Sequence, residues 1–266
     1  MTLVFVTGLF VSSCDDDTTT NYTSSDPIER KYSLGSVSEN GFTVTLFMDE
    51  EPYVGANRTY VRVYRNSNSS QVTDRPVYML PDFEKTGGAT STYTEPLTFD
   101  TKLQAFEGLV SFYAPSTGGK WTMIISFETD QGVTSEFLFL IPVIEKTTQH
   151  SYSIPYDADT TGYVQQYIEE AYTSTGLNDF EILAFGQVND TTFPALTGMA
   201  FEMYPEKLNT GEKITPVLQP VSIGPGHYKG QIDFPSNGIW KIKIHSFDSP
   251  GGSLIDSSGF LHVYVP

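Results

Sequence analysis

The feature that most constrains the fold is self-similarity. A set of landmarks occurs twice in the 266-residue chain, in the same order and 119 to 124 residues apart. Gly55-Ala56-Asn57 ahead of Tyr60-Val61-Arg62-Val63-Tyr64 answers to Gly176-Leu177-Asn178 ahead of Phe180-Glu181-Ile182-Leu183. Met79-Leu80-Pro81 answers to Met203-Tyr204-Pro205. Gly108-Leu109-Val110-Ser111-Phe112, then Pro115-Ser116 and Trp121, answers to Gly230-Gln231-Ile232-Asp233-Phe234, then Pro235-Ser236 and Trp240. Such a chain holds two copies of one domain. The reading places them at 28–147 and 148–266, behind segments 1–13 and 14–27.

Within each copy the pattern has period two, the mark of a half-buried strand. Phe42, Val44, Leu46 and Met48 share one face, as do Trp121, Met123, Ile125 and Phe127. In the second copy Trp240, Ile242 and Ile244 alternate with Lys241, Lys243 and His245, which are expected to point outward. Clusters such as Ser116-Thr117-Gly118-Gly119 and Ser249-Pro250-Gly251-Gly252 break the strands at intervals suited to a sandwich of about seven strands. The expected fold is all-β: two tandem immunoglobulin-like β-sandwiches. One helix is expected over Tyr163 to Tyr172, where Tyr163, Val164, Tyr167, Ile168, Ala171 and Tyr172 fall near one helical face.

The first thirteen residues are apolar and too short to span a bilayer, which takes roughly 20, so they read as a signal-peptide core. Val11-Ser12-Ser13-Cys14 resembles the bacterial lipobox, which makes Cys14 the expected lipid attachment site. The polar, low-complexity run from Asp15 to Pro27 reads as a solvated tether. Its acidic start is similar to the surface-export signal of Bacteroidetes lipoproteins, which implies an outer-membrane, surface-exposed location. Cys14 is the only cysteine, so the chain has no intramolecular disulfide to lean on. A net charge of −17 is the opposite of the basic footprint of a nucleic-acid binder, so the expected partners are the membrane, through the lipid, and a protein or glycan.

The repeated motifs, taken together, resemble the FixH/YtkA-like domain of bacterial envelope proteins, once per half. The resemblance implies an immunoglobulin-like sandwich and, as cofactor, copper. Copper(I) takes thioether and imidazole donors, so the metal reading uses Met79, Met203 and His227. Core packing is the competing reading for the methionines. Asp157-Ala158-Asp159-Thr160-Thr161-Gly162 resembles the start of a calcium loop, with Asp157, Asp159 and Thr161 as oxygen donors, but Ile168 stands where the bidentate Glu belongs. There is no Gly-x-Ser-x-Gly elbow and no phosphate-binding glycine loop, and the paired carboxylates are contiguous, so no enzyme is expected. The expectation is a lipid-anchored envelope protein with a binding or structural role. The alternatives are a copper handler, or an adhesin or glycan binder presenting Tyr78, Tyr93, Tyr113, Tyr204 and Tyr228.

Overall fold

The computed structural model describes residues 26–85, 88–91, 96–146, 151–156, 160–168, 173–189, 192–214 and 217–266. The first sandwich comprises β1 (Tyr32–Glu39), β2 (Phe42–Met48), β3 (Gly55–Arg65), β4 (Val77–Lys85), β5 (Gly88–Ser91), β6 (Pro96–Asp100), β7 (Ala105–Phe112), β8 (Lys120–Glu128) and β9 (Thr134–Ile141). The second comprises β10 (Ser151–Pro155), β11 (Thr161–Tyr167), β12 (Gly176–Gln187), β13 (Ala200–Lys207), β14 (Leu218–Gly224), β15 (His227–Phe234), β16 (Gly238–Phe247) and β17 (Leu254–Val265).

The two sandwiches share one topology. Strand order β1-β2-β3-β7-β6 over β4-β8-β9 in the first is matched by β10-β11-β12-β15-β14 over β13-β16-β17 in the second. Setting aside the outer strands β1 and β10, this is the four-plus-three arrangement of a constant-type immunoglobulin domain. In the first copy β6 also pairs with β4 at Val77 and Tyr78, which joins its two sheets along one edge.

Each sandwich encloses its own core, one running from Phe42 to Val143 and the other from Ile154 to Val265. The expected inward residues of β2, β8 and β16 are buried, and Lys241, Lys243 and His245 face out, partly exposed. The repeated tryptophans lie at the centre of the cores. Trp121 donates its ring N–H to the Ala114 carbonyl at 2.8 Å and packs on Phe112; Trp240 donates to the Ser236 carbonyl at 3.1 Å and packs on Phe234.

The Gly-x-Asn motif is a backbone clamp. Gly55 and Gly176 have φ of 142° and 100°, a region open to glycine. The turn they make brings the Asn57 amide onto three main-chain groups: it accepts from the Tyr53 N–H at 3.1 Å and donates to the carbonyls of Tyr53 and Gly55 at 2.8 and 2.9 Å. Asn178 repeats the pattern on Ser174 and Gly176. The Met-x-Pro and Gly-x-(Val/Ile)-x-Phe motifs also meet each other. Met203 on β13 closes over Gly230 on β15, where a Cβ would lie 3.0 Å from the Met203 methyl. In the first copy Leu97 and Met79 close over Gly108.

One expectation is overturned. Residues 161–167 form strand β11, not the start of a helix. Val164 points into the core, while Tyr163, Gln165 and Tyr167 point to the other face, which is covered by the first domain. A strand buried on both faces loses its polar alternation, and its aromatic residues then satisfy a helical template as well. Residues 169–172 lie outside the described residues.

Asn57→Ala leaves a buried N–H and two carbonyls without their partner. It is expected to cost about 2 kcal/mol, read as a lower urea midpoint at an unchanged slope, with a similar loss for Asn178→Ala.

Candidate functional site

The two sandwiches turn equivalent sheet faces toward each other. On β3 and β7 the residues opposite the core are Arg58, Tyr60, Glu107, Leu109 and Ser111; on β11, β12 and β15 they are Tyr163, Gln165, Glu181, Leu183 and Lys229. Three kinds of contact close the seam. Gln165 donates its amide to the Phe112 carbonyl at 2.8 Å. Tyr113 stacks on Phe193 with ring centroids 4.5 Å apart. The Tyr167 hydroxyl donates to Asp49, which also accepts from Lys31 and, at 2.8 Å, from Tyr60.

The centre of the seam is ionic. The Arg58 guanidinium donates through Nη1 to Glu107 of its own sheet at 2.5 Å and through Nη2 to Glu181 of the other domain at 2.6 Å. It lies over the Tyr167 ring at 4.9 Å. Glu181 bonds His227 Nε2 through its second oxygen at 2.8 Å, and Lys229 bridges to Asp179 at 2.7 Å. Burial alone would raise the Glu181 carboxyl, but the His227 hydrogen bond and the Arg58 charge outweigh it and bring its pKa down to about 2. Burial also opposes the charge on Arg58. The Glu181 carboxylate more than reverses that, and the guanidinium is held above its ordinary value.

Beside this cluster lies a cavity of about 450 Å³ walled by both domains. Leu97, Phe99, Leu109, Leu183, Phe185 and Ile223 make its apolar side; Arg58, Glu107, Glu181 and His227 belong to its polar side. A second cavity of about 570 Å³ adjoins it and shares Arg58, Asp100, Glu107, Glu181 and Lys229. Ser111 lines the first cavity, is 6% exposed, and its Oγ has no hydrogen-bond partner.

Of the residues singled out from sequence, Met79 and His227 reach this cavity from opposite domains. Met203 does not: it is buried in the second core, against Gly230. The three proposed soft donors therefore do not converge, Met79 also belongs to the first core, and the His227 Nε2 is engaged by Glu181. The residues present do not fit the copper that the resemblance implies. Among the described residues no three His, Cys, Asp or Glu side chains gather as a metal site.

Asp157 and Asp159 lie outside the described residues, as do Cys14 and Tyr93. Thr161 is a strand residue of β11, paired with Pro155 and Gln187. Tyr228 is a core residue, its hydroxyl bonded to the Leu196 carbonyl at 2.9 Å, and Tyr113 belongs to the seam, whereas Tyr78 and Tyr204 are exposed. Of the five tyrosines named as candidates under the adhesin alternative, Tyr113 and Tyr228 are therefore not on an exposed platform. Sequence reasoning missed Arg58, Glu107, Glu181 and Ser111. A signal was there: at positions equivalent under the repeat, Arg58 answers to Asp179 and Glu107 to Lys229, so charged residues stand at both outward positions in both copies, with the signs reversed.

No family model and no curated protein matches the chain. Among solved structures it is similar to the Escherichia coli adhesin FdeC, at 12% identity and a TM-score of 0.28 over 86% of this chain and 65% of that one. It is similar at 10% identity to Salmonella alpha-2-macroglobulin, with a TM-score of 0.28 over 86% of this chain and 17% of that one. A Ca²⁺-stabilised adhesin of an Antarctic bacterium that binds ice gives 10% identity and a TM-score of 0.23 over 85% and 57%. The chain thus spans less than two thirds of the length of each, and likeness this weak says nothing of ligand or partner.

A carboxyl whose folded pKa lies below its unfolded value adds stability above the unfolded value and loses it as pH falls to the folded one. Glu181 is therefore expected to stabilise the fold fully above pH 4.5, its ordinary value, and to stop doing so near pH 2. In melting temperatures measured from pH 7 to 2, Glu181→Gln should be less stable than wild type at neutral pH by roughly 3 kcal/mol, with the gap closing toward pH 2.

Proposed function

We propose that the protein is a non-enzymatic binding protein of the cell envelope, anchored through Cys14, whose ligand seat is the cleft between its two immunoglobulin-like domains. One observation carries the reading: the cavity is built by both domains, with an apolar wall on one side and a fixed ionic cluster on the other. Its volume falls within the range of about 300–1,000 Å³ common to small-molecule sites, and such sites favour domain interfaces. The cleft holds carboxylates and one imidazole but no nucleophile paired with a base: the His227 Nε2 is engaged by a carboxylate, and Ser111 has no partner at all. That arrangement holds and orients a molecule.

Anchoring is supported by the lipobox-like Val11-Ser12-Ser13-Cys14 and by the polar run that follows it. Among the described residues no helix is long and apolar enough to cross a membrane. An acylated Cys14 would leave both domains free to bind at a distance set by the tether.

Two measurements test the reading. The Cys14→Ala protein is expected in the soluble fraction and the wild type in the membrane fraction; retention of the variant in membranes refutes the anchor. In a thermal-shift panel of small amphipathic molecules, those that raise the melting temperature of the soluble full-length protein are expected to lose that effect in Leu183→Trp, which fills the cleft from a half-buried wall position.

A further inference from the structure

We propose that the protein assembles head to tail with further copies of itself, the outer sheet face of the first domain seating on the outer sheet face of the second domain of the next molecule. Each sandwich turns one sheet to the seam, through β3 and β7 in the first copy and β11, β12 and β15 in the second. The other sheets, β4-β8-β9 and β13-β16-β17, therefore form the two ends of a four-layer stack and point in opposite directions. A contact between unlike ends leaves one free end of each kind, so it repeats along a filament instead of closing as a dimer.

Both end faces carry apolar side chains at positions where a solvated sheet face is polar. In the first copy the register sets Leu80, Ile124 and Leu138 in one row across β4, β8 and β9, with Leu140 beside it. Leu138 and Leu140 are 58% and 65% exposed. The equivalent row of the second copy runs Tyr204, Lys243 and Phe260 across β13, β16 and β17. Tyr204 and, further along β17, Tyr264 are exposed. One end thus offers aliphatic side chains and the other aromatic ones.

The charges on the two faces are opposite in sign. Around the leucine row the outward positions hold Asp82, Glu84, Glu128 and Glu136 against Lys120. Around the tyrosine row Lys213, Lys241 and Lys243 stand against Glu202 and Glu206. Lys243 pairs with Glu206 at 2.9 Å, while Lys241 lies over the Phe260 ring at 4.0 Å. Asp82 and Glu206 are equivalent under the repeat, so one carboxylate reports the field on both faces. Burial and then the Glu84 charge hold the Asp82 carboxyl above its ordinary value. The hydrogen bond and charge of Lys243, with the charges of Lys213 and Lys241, hold Glu206 below its own. Two first-domain ends would set carboxylates against carboxylates. Unlike ends set lysines against carboxylates and aromatic rings against leucines, so the partner that fits both faces is a second copy.

A three-stranded face is small, so the contact belongs at the weak end of specific interfaces and is sought at high protein concentration. The test is sedimentation velocity with light scattering on the full-length Cys14→Ala protein at neutral pH and low salt, from about 10 μM to about 1 mM. The mass is expected to grow with concentration past a dimer without a plateau, and to grow less as added salt screens the charges. Leu138→Ser with Leu140→Ser spoils the first end, and Lys241→Glu with Lys243→Glu spoils the second. Each double variant is expected to weaken assembly about tenfold or more. Mixed in equal amounts, the two are expected to form a one-to-one dimer and nothing larger, because one good end of each kind remains. That dimer also shows that both variants fold, since each contributes an intact end. A monomer throughout the range overturns the proposal, and so does a parent protein that stops at a closed dimer. Growth that survives in either variant, or a mixture that stays monomeric, overturns it as well.

Discussion

The centre of the seam between the two domains is one guanidinium. Arg58 arises from the outer face of β3 and is shared between Glu107 of its own sheet and Glu181 of the other domain. Charges withdrawn from water at a seam are expensive, and the expense is offset only when each meets a partner of opposite sign in good geometry. Here the planar fork of the arginine meets two carboxylates at once, and the Tyr167 ring covers its face. A lysine at position 58 would supply the charge without the fork. Because Glu181 is held in turn by His227, the orientation of β12 against β15 is tied to the same cluster that sets one domain against the other.

This contact distinguishes the two copies, although they are built on one pattern. Both cores are built alike, from the same tryptophan, methionine, glycine and asparagine positions, so nothing in the cores favours one copy over the other as a partner. The outward positions of the second and fifth strands of each immunoglobulin unit do. Where the first copy has Arg58 and Glu107, the second has Asp179 and Lys229. Across the seam Arg58 meets Glu181, which stands where the first copy has Tyr60, while Asp179 pairs with Lys229 of its own sheet. The aromatic contacts among Tyr113, Tyr163 and Phe193 close one side of the seam.

The fold was legible in the sequence because it rests on local periodicity and on repetition, and both survive without tertiary knowledge. Phe42 to Met48 and Trp121 to Phe127 alternate because one face meets a core and the other meets water. The same logic fails at β11, where the second domain's outer face is itself covered and the aromatic residues Tyr163 and Tyr167 stand where polar ones are expected. The repeated motifs resembled a metal-handling family, yet in this chain they turn out to be structural. Asn57 and Asn178 clamp a turn, and Met203 covers a glycine on the strand that faces it. The cleft was not legible, since no motif spells out a surface that two separate domains complete. Only the charge reversal at equivalent positions pointed to it, and that signal appears when the copies are compared face by face rather than for their shared residues.

Three buried side-chain polar atoms among the described residues lack a hydrogen-bond partner: Thr59 Oγ1, Ser111 Oγ and Gln165 Oε1. Two of them, Ser111 and Gln165, belong to the seam. Folded chains satisfy buried polar groups almost everywhere, and the exceptions gather where a requirement other than stability is being met. At the seam the sequence had an inexpensive alternative, since an alanine at 111 would leave the outer face of β7 no less covered and remove the unpaired hydroxyl. The second copy carries an exposed Asp233 at the equivalent position. Ser111 and Gln165 thus mark the seam between the domains as the place where this fold leaves buried polar atoms unsatisfied, each of them set against the face of the other copy.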